Sequence, residues 1–348
     1  MPSSSTYGII GAMGVEIALL RKALTEVTVV SKGSLFTFHL GKARCSPAAP
    51  CGHCLVAAAD VTAPANANTD TDAPANTNTD TDAPANTNTD ADAPANANTD
   101  TDAPAADAPT ADALAADVPV PGAETGSECC AAEVDVVLVA SNVGQVYAAA
   151  VATMLITAFN VDAVLFSGVA GGLMGHHMVG DVILAADTIN YDMDVTALVL
   201  PHKPDYVHKR GELPFLDGLR SFAADPVLLQ LASDAAPQVL APDAALHIGR
   251  VVTGSEFVTT ARKNELRPLW EKLGSPLAVD MEAAAVGQIC HAFGVPYLVV
   301  RALSDTMEGD AAADFNDFVN HAADSIAPLV LAVVLAHGGR AAARRESA

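Results

Sequence analysis

Residues 277–305 read LAVDMEAAAVGQICHAFGVPYLVVRALSD. The segment opens on a short apolar run, Leu277 to Val279, that turns acidic at Asp280 and Glu282. An alanine-rich segment follows in which Val286, Ile289 and Phe293 fall on one helical face. Gly294 and Pro296 end that helix. A second apolar run, Tyr297 to Val300, closes on Arg301, Ser304 and Asp305. The pattern predicts strand, helix and parallel strand, with a carboxylate just past the end of each strand. Open α/β sheets bind ligands there, outside the carboxyl ends of their strands.

The rest of the chain alternates in the same way. Tyr7 to Met13 is an apolar strand ending in the small-residue loop Gly11-Ala12-Met13-Gly14, with Glu16 on the first turn of a helix. An acid there also suits the helix dipole, so Glu16 reads equally well as a surface residue. Val27 to Val30, Leu35 to Leu40 and Val134 to Ala140 read as strands, the last two forming a hairpin. A helix at Gln145 to Phe159, strands at Ala163 to Ser167 and Asp181 to Asp187, and a helix at Pro226 to Ala235 follow. Then come a strand at His247 to Thr253, one helix at Thr259 to Leu273, and a last helix at about Phe315 to Leu335. This alternation predicts a three-layer α/β fold, a mixed central sheet flanked by helices.

The 348 residues carry a net charge of −23. From Cys45 to Glu133 there are 15 Asp and Glu and no Lys or Arg, leaving about −8 for the remainder. An acidic body argues against nucleic acid, which is bound by basic residues. Met1 to Tyr7 is short, polar and without a basic residue, unlike a signal peptide. The apolar run Leu329 to Ala336 is too short to span a bilayer. The expectation is a cytoplasmic protein with no membrane partner.

Asp60 to Pro104 is a tandem repeat of about ten residues, DAPANTNTDT and variants. It has almost no large apolar side chain, so burial cannot offset its ordering entropy, and disorder is expected. The domain reading is therefore one folded unit, residues 1–44 and 132–340, an acidic insertion at a hairpin tip, residues 45–131, and a flexible tail, 341–348. Cys45, Cys51, Cys54, Cys129 and Cys130 flank the repeat. Cys51-Gly52-His53-Cys54 has the spacing of a redox or metal half-site but sits in a Pro- and Ala-rich linker. Reduced surface thiols are the favoured reading, over a metal or disulfide staple.

Taken in order, GIIGAMGVE, SNVGQ, SGVAGGL, GDVILA, DMDVTA, TGSEFV, VDMEA and VRALSD resemble the 5′-methylthioadenosine/S-adenosylhomocysteine nucleosidases, which have a nucleoside phosphorylase-like fold. The motifs span nearly all of the chain outside the insertion. The resemblance implies hydrolysis of an N-glycosidic bond, with adenine and a 5-thio-substituted ribose as products. It implies that Asp305 is the general acid for adenine N7 and that Glu16 activates water. Glu282 would hold the ribose hydroxyls, Met281 would pack on the ribose, and Phe257 would stack on adenine with the Val258 backbone reading its edge. Ser304 would support Asp305, Ser141 would lie near the water or base, and Phe315 would either cap the 5′ pocket or serve the core. No cofactor and no metal are called for, the substrate is a small nucleoside thioether, and a homodimer is implied.

The chemistry agrees with this division. Glycosidic cleavage passes through an oxocarbenium-like sugar, so one acid serves the leaving group and one carboxylate serves water. A phosphorylase needs cations around phosphate, yet Gly8 to Glu16 and Ser141 to Val146 carry no Lys or Arg. Two features depart from the family. Only Glu16 remains where several glutamates usually follow the first strand, and Leu198 to Pro214, near the family's 5′ pocket and dimer contact, is longer, with His202, Lys203, Lys209 and Arg210. Alternatives are a futalosine-type or other purine nucleoside hydrolase, or a non-catalytic nucleoside-binding protein. A binder would have no use for a general acid.

Overall fold

Ten strands form one mixed sheet, in which a long central strand, Ala163–Gly172, is shared by two subassemblies. The computed structural model describes residues 5–45 and 133–346, all within one compact unit. The elements are β1 (Thr6–Gly11), a 3₁₀ turn at Val15–Ile17, α1 (Ala18–Ala23), β2 (Thr25–Lys32), β3 (Phe36–Arg44) and β4 (Glu133–Ala140). Next come α2 (Gln145–Phe159), β5 (Ala163–Gly172), β6 (Val182–Asn190), β7 (Phe222–Ala223), α3 (Pro226–Val239) and β8 (Leu246–Thr253). The chain ends with α4 (Thr260–Glu265), α5 (Arg267–Lys272), β9 (Ala278–Asp280), α6 (Ala283–Phe293), β10 (Tyr297–Asp305) and α7 (Ala311–Glu346).

On one side of β5 the order runs β1, β4, β3, β2. On the other, β9, β8, β6 and β10 return to β5, because β10 pairs with both β6 and β5, closing a ring of five strands. One core lies between the sheet and α3 and α7, a second under α2 and α6. Burial of Leu, Ile, Val and Phe on both faces is the main favourable contribution to such a three-layer fold.

Local signals explain the element ends. Asp225 caps α3, accepting from Val227 N and Leu228 N at 2.9 Å each, with Pro226 at the first helical position. Gly294 ends α6 at φ +66°, a left-handed conformation that favours glycine.

Three expectations need correction. β9 and β10 are not parallel: β5 pairs antiparallel with β9 and parallel with β10. Fully buried strands lack the polar/apolar alternation of half-exposed ones, and their apolar runs look the same in either direction. The two acidic ends still meet, since Asp305 and Val279 both pair with Gly171. Second, Thr259 to Leu273 is two helices broken at Leu266, because Pro268 has no N–H to continue the ladder and instead sits in the first turn of a new helix. Third, the last helix spans Ala311–Glu346, so residues 341–346 are helical. Its Ser325–Ala342 portion is long and apolar enough to cross a membrane, with mean hydropathy 1.5. Here, however, Leu329, Val330, Val333 and Val334 are fully buried in the core.

Arg44 pairs with Glu133 at the end of the β3–β4 ladder, so residues 45–132 leave and return at one hairpin end. Lys42 and Arg44 both bond Glu133 there, and Arg44 reaches Glu26. The repeat and Cys51, Cys54, Cys129 and Cys130 lie outside the described residues.

Candidate active site

The ends of β1, β5, β9 and β10 surround a cavity of about 260 Å³. Glu16, Met281, Glu282, Phe257, Val258, Ser304, Asp305 and Phe315 all line it. Ser141 does not. Its N–H donates to Gly11 O and its hydroxyl to Asn142 O, both at the ladder end between β4 and β1. The chain then turns through Asn142 at φ +69° and Gly144 at φ +105°. That loop meets the cavity through Val143, and through Gly144 N, which donates to Glu282 Oε1 at 2.8 Å.

Glu16 is buried on the 3₁₀ turn after β1. Met13 N donates to its Oε2 at 2.7 Å and Val169 N to its Oε1 at 3.0 Å, which fixes the carboxylate plane. Burial raises its carboxyl above the ordinary range, against the opposing pull of Arg301 and the backbone N–H donors. A carboxylate with raised proton affinity is a better general base near neutrality. A Cβ at Gly168 would collide with Arg301 Nη1 and lie 2.6 Å from Glu16 Oε1, so this approach needs glycine.

Arg301 is a fully buried cation of the site. Its guanidinium lies 4.1 Å from the centre of the Phe166 ring. Nε donates to Asp280 Oδ2 at 3.0 Å, and Nη2 reaches Glu282 Oε2 at 3.5 Å. Asp280 therefore does not turn to the far side of its strand, as alternation along β9 suggests. The strand stops at Asp280, whose carboxylate accepts from Ala283 N and Thr253 Oγ1, caps the start of α6 and holds Arg301. Burial, reinforced by Asp280, pushes the Glu282 carboxyl up to about 7.

Asp305 ends β10. Ser304 Oγ donates to its Oδ1 at 2.9 Å, and Lys263 Nζ donates to its Oδ2. Lys263, which sequence reasoning missed, is fully buried, and its Nζ also donates to Thr306 O at 2.8 Å. Burial lowers its proton affinity, against the pull of Asp305. The break between α4 and α5 sets its position, since Trp270 Nε1 folds back to Lys263 O at 2.9 Å. Pro268 is the sequence signal for that break.

At the rim, Phe257 is exposed and meets Phe315 edge-on at 5.6 Å between ring centres. Phe315 has both proposed placements, lining the cavity and packing on the core. None of residues 198–214 lines the cavity. Five acids line it, Glu16, Glu256, Asp280, Glu282 and Asp305, and no Lys or Arg does. Among the described residues one cluster has metal-ligand spacing, His176, His177 and His247, and it lies outside this cavity.

The family model described as "Phosphorylase superfamily" matches residues 106–335. The segment carrying Glu16 lies before that match. A 5′-methylthioadenosine/S-adenosylhomocysteine nucleosidase of Bacillus subtilis (strain 168) is 36% identical over 203 residues, 58% of this chain and 80% of that protein. The crystal structure of the corresponding nucleosidase from Neisseria meningitidis, in complex with methylthio-immucillin-A, is similar at TM-score 0.62 and 25% identity, covering 95% of this chain and 99% of that one. A futalosine hydrolase of Helicobacter pylori shares the fold at TM-score 0.60 and 21% identity, covering 95% and 97%.

Proposed function

Because the chain belongs to the 5′-methylthioadenosine/S-adenosylhomocysteine nucleosidase family of the phosphorylase superfamily, and is thus an N-glycosidic hydrolase, we propose how its own residues release adenine from those two nucleosides. Asp305 delivers a proton to adenine N7, and the buried Lys263 beside it holds the proton that the pair passes on. As the glycosidic bond breaks, charge grows on the ribose. Glu282 binds the sugar hydroxyls and faces that charge, while Glu16 orients and deprotonates the attacking water. Phe257 and Phe315 at the rim take the purine and the 5′ substituent, and Met281 packs on the ribose.

The observation that carries hydrolysis over phosphorolysis is the charge of the cavity wall, five acids and no cation. Both nearby cations are engaged, Arg301 by Asp280 and Lys263 by Asp305. A phosphate dianion would meet carboxylates, whereas water can be held between Glu16 and the sugar. The proposal includes a cytoplasmic location, a homodimer, and no nucleic-acid or membrane partner. Exposed Val199, Val207, Phe215 and Leu216 on one segment support a protein-contact surface there.

The test is adenine release from both thioether nucleosides, with and without phosphate, in the wild type and Asp305→Asn. Turnover independent of phosphate is expected, with a loss of about 10²- to 10⁴-fold in the variant. A phosphate requirement would overturn hydrolysis, and unchanged turnover in the variant would remove the assigned acid.

A further inference from the structure

We propose that His176, His177 and His247 form a site for a divalent transition-metal ion of the zinc class. The three imidazoles gather at the start of β6 and β8. His247 pairs with Ile183 across those strands, and the other two lie on the turn just before β6. Ring centres are 4.6 Å apart for His177 and His247, and 4.8 Å for His176 and His177. One nitrogen from each residue lies within 4.8 Å of the other two.

The second observation is His177 itself. It is 3% exposed, and neither of its ring nitrogens has a hydrogen-bond partner. A buried polar ring left unpaired is destabilising, and imidazoles packed together cannot all take up protons without mutual repulsion. A bound cation would satisfy the His177 lone pair and make the grouping of three rings favourable.

The surroundings resemble a ligand shell. His247 Nε2 lies 3.1 Å from Asp181 Oδ2, and Asp181 is itself held by Met178 N at 2.9 Å and Ala245 N at 3.1 Å. A carboxylate accepting from one ring nitrogen fixes the tautomer that leaves the other free for metal. Zinc–nitrogen distances of about 2.0–2.1 Å put tetrahedral ligand nitrogens about 3.4 Å apart. His176 is exposed and can close the remaining gap by side-chain rotation. Three imidazoles suit zinc, cobalt or nickel rather than magnesium or calcium, which take oxygen ligands. They also leave one coordination position open.

The site would bear on β10. Leu303 N donates to Asp181 O at 2.8 Å, and Gly180 N donates to Leu303 O at 2.9 Å. Leu303 stands two residues before Asp305. An ion there would pin the 176–181 turn to the strand that carries the proposed acid.

The experiment uses full-length, tag-free protein stripped of metal. Zn²⁺ is titrated against a chromophoric chelator, and Co²⁺ binding is followed by visible absorption. One ion per chain is expected, with a nitrogen ligand field and no thiolate charge-transfer band. Asp181→Asn should weaken binding about 10- to 100-fold, and His176→Ala and His247→Ala by roughly as much or more. Zn²⁺ should raise the unfolding temperature of the wild type and not of His247→Ala. The paired change Cys51→Ser and Cys54→Ser should leave binding intact. Absence of binding would overturn the proposal, as would binding that survives the histidine changes and disappears with the cysteines.

Discussion

Replacing Glu282 by Gln separates what this carboxylate does for function from what it does to stability. Its carboxyl is pushed up to about 7 from an ordinary 4.5 by burial and by Asp280. Between those values the folded protein holds a proton that the unfolded chain releases. The resulting stability is complete below pH 4.5 and is lost as pH rises through 7. At 1.36 kcal/mol per pH unit the whole loss is about 3 kcal/mol. Glutamine keeps the shape and an acceptor for Gly144 N but has no charge to bury. Urea unfolding of both proteins at pH 5 and pH 8 measures the effect. Glu16 is raised by burial too; its own burial is common to both proteins and cancels, leaving only its smaller repulsion of Glu282 in the comparison. The variant is expected to gain about 2.5 kcal/mol on the wild type between the two pH values, since part of the loss falls below pH 5. Its kcat/KM should fall about 10- to 100-fold, the worth of one hydrogen bond to a charged group. A stability difference that does not change with pH would refute the reasoning.

Other perturbations probe the remaining parts of the site. Lys263→Met removes the cation that donates to Asp305, and with it the proton the pair is proposed to pass on; kcat/KM should fall, with its alkaline limb moved down. An unmoved limb would show that Lys263 has no part in the proton's path. At pH 8 the same variant should lose about 3–5 kcal/mol of stability, read by urea unfolding. Gly168→Ala drives a methyl into Arg301 Nη1 and Glu16 Oε1, so steady-state kinetics should show kcat falling by roughly tenfold or more, consistent with a displaced base. Wild-type kcat there would mean that Glu16 need not hold its place. Deleting Cys45 to Ala131 leaves Arg44 and Glu133 already paired and is expected to give a folded, active enzyme by circular dichroism and adenine release. A folded but inactive deletant would assign the insertion a catalytic role.

The acids of the site were legible because each sits at a place that sequence can identify, the end of an apolar run followed by a helix. Glu16, Glu282 and Asp305 are of this kind, and the structure gathers all three round one cavity. What was not legible depends on chain direction and on contacts far apart in sequence. β9 and β10 are both buried runs, and burial on two faces erases the pattern that would have shown their opposite directions. Lys263 lies 42 residues from Asp305 and meets it through tertiary packing, with Trp270 Nε1 from the next helix donating to the Lys263 carbonyl. In the Ser141 loop the motif marked the right turn but not the right group. The Ser141 hydroxyl bonds Asn142 O, and the turn through the positive-φ residues Asn142 and Gly144 presents Gly144 N–H to Glu282 instead. Asp280 turns to the site because β9 ends there and helix capping takes over.

The arrangement of charge explains why so many acids are tolerated in one place. Four buried carboxylates, Glu16, Asp280, Glu282 and Asp305, face two buried cations, Arg301 and Lys263. Fully ionised, they leave an excess of two negative charges. In the free protein that excess is unfavourable; burial raises the proton affinities of Glu16 and Glu282, and Asp280 adds to the rise at Glu282. A neutral nucleoside relieves little of it. On the roles proposed above, a ribosyl cation relieves much more, because positive charge would then form against Glu282 and Glu16 in a site walled off from bulk water. Repulsion held in the resting site is thus released mainly at the transition state, which is where binding energy accelerates a reaction. Arg301 limits how far this can go. It opposes the rise at Glu16 and Glu282, and on the proposed roles this favours charge that remains for the sugar to meet.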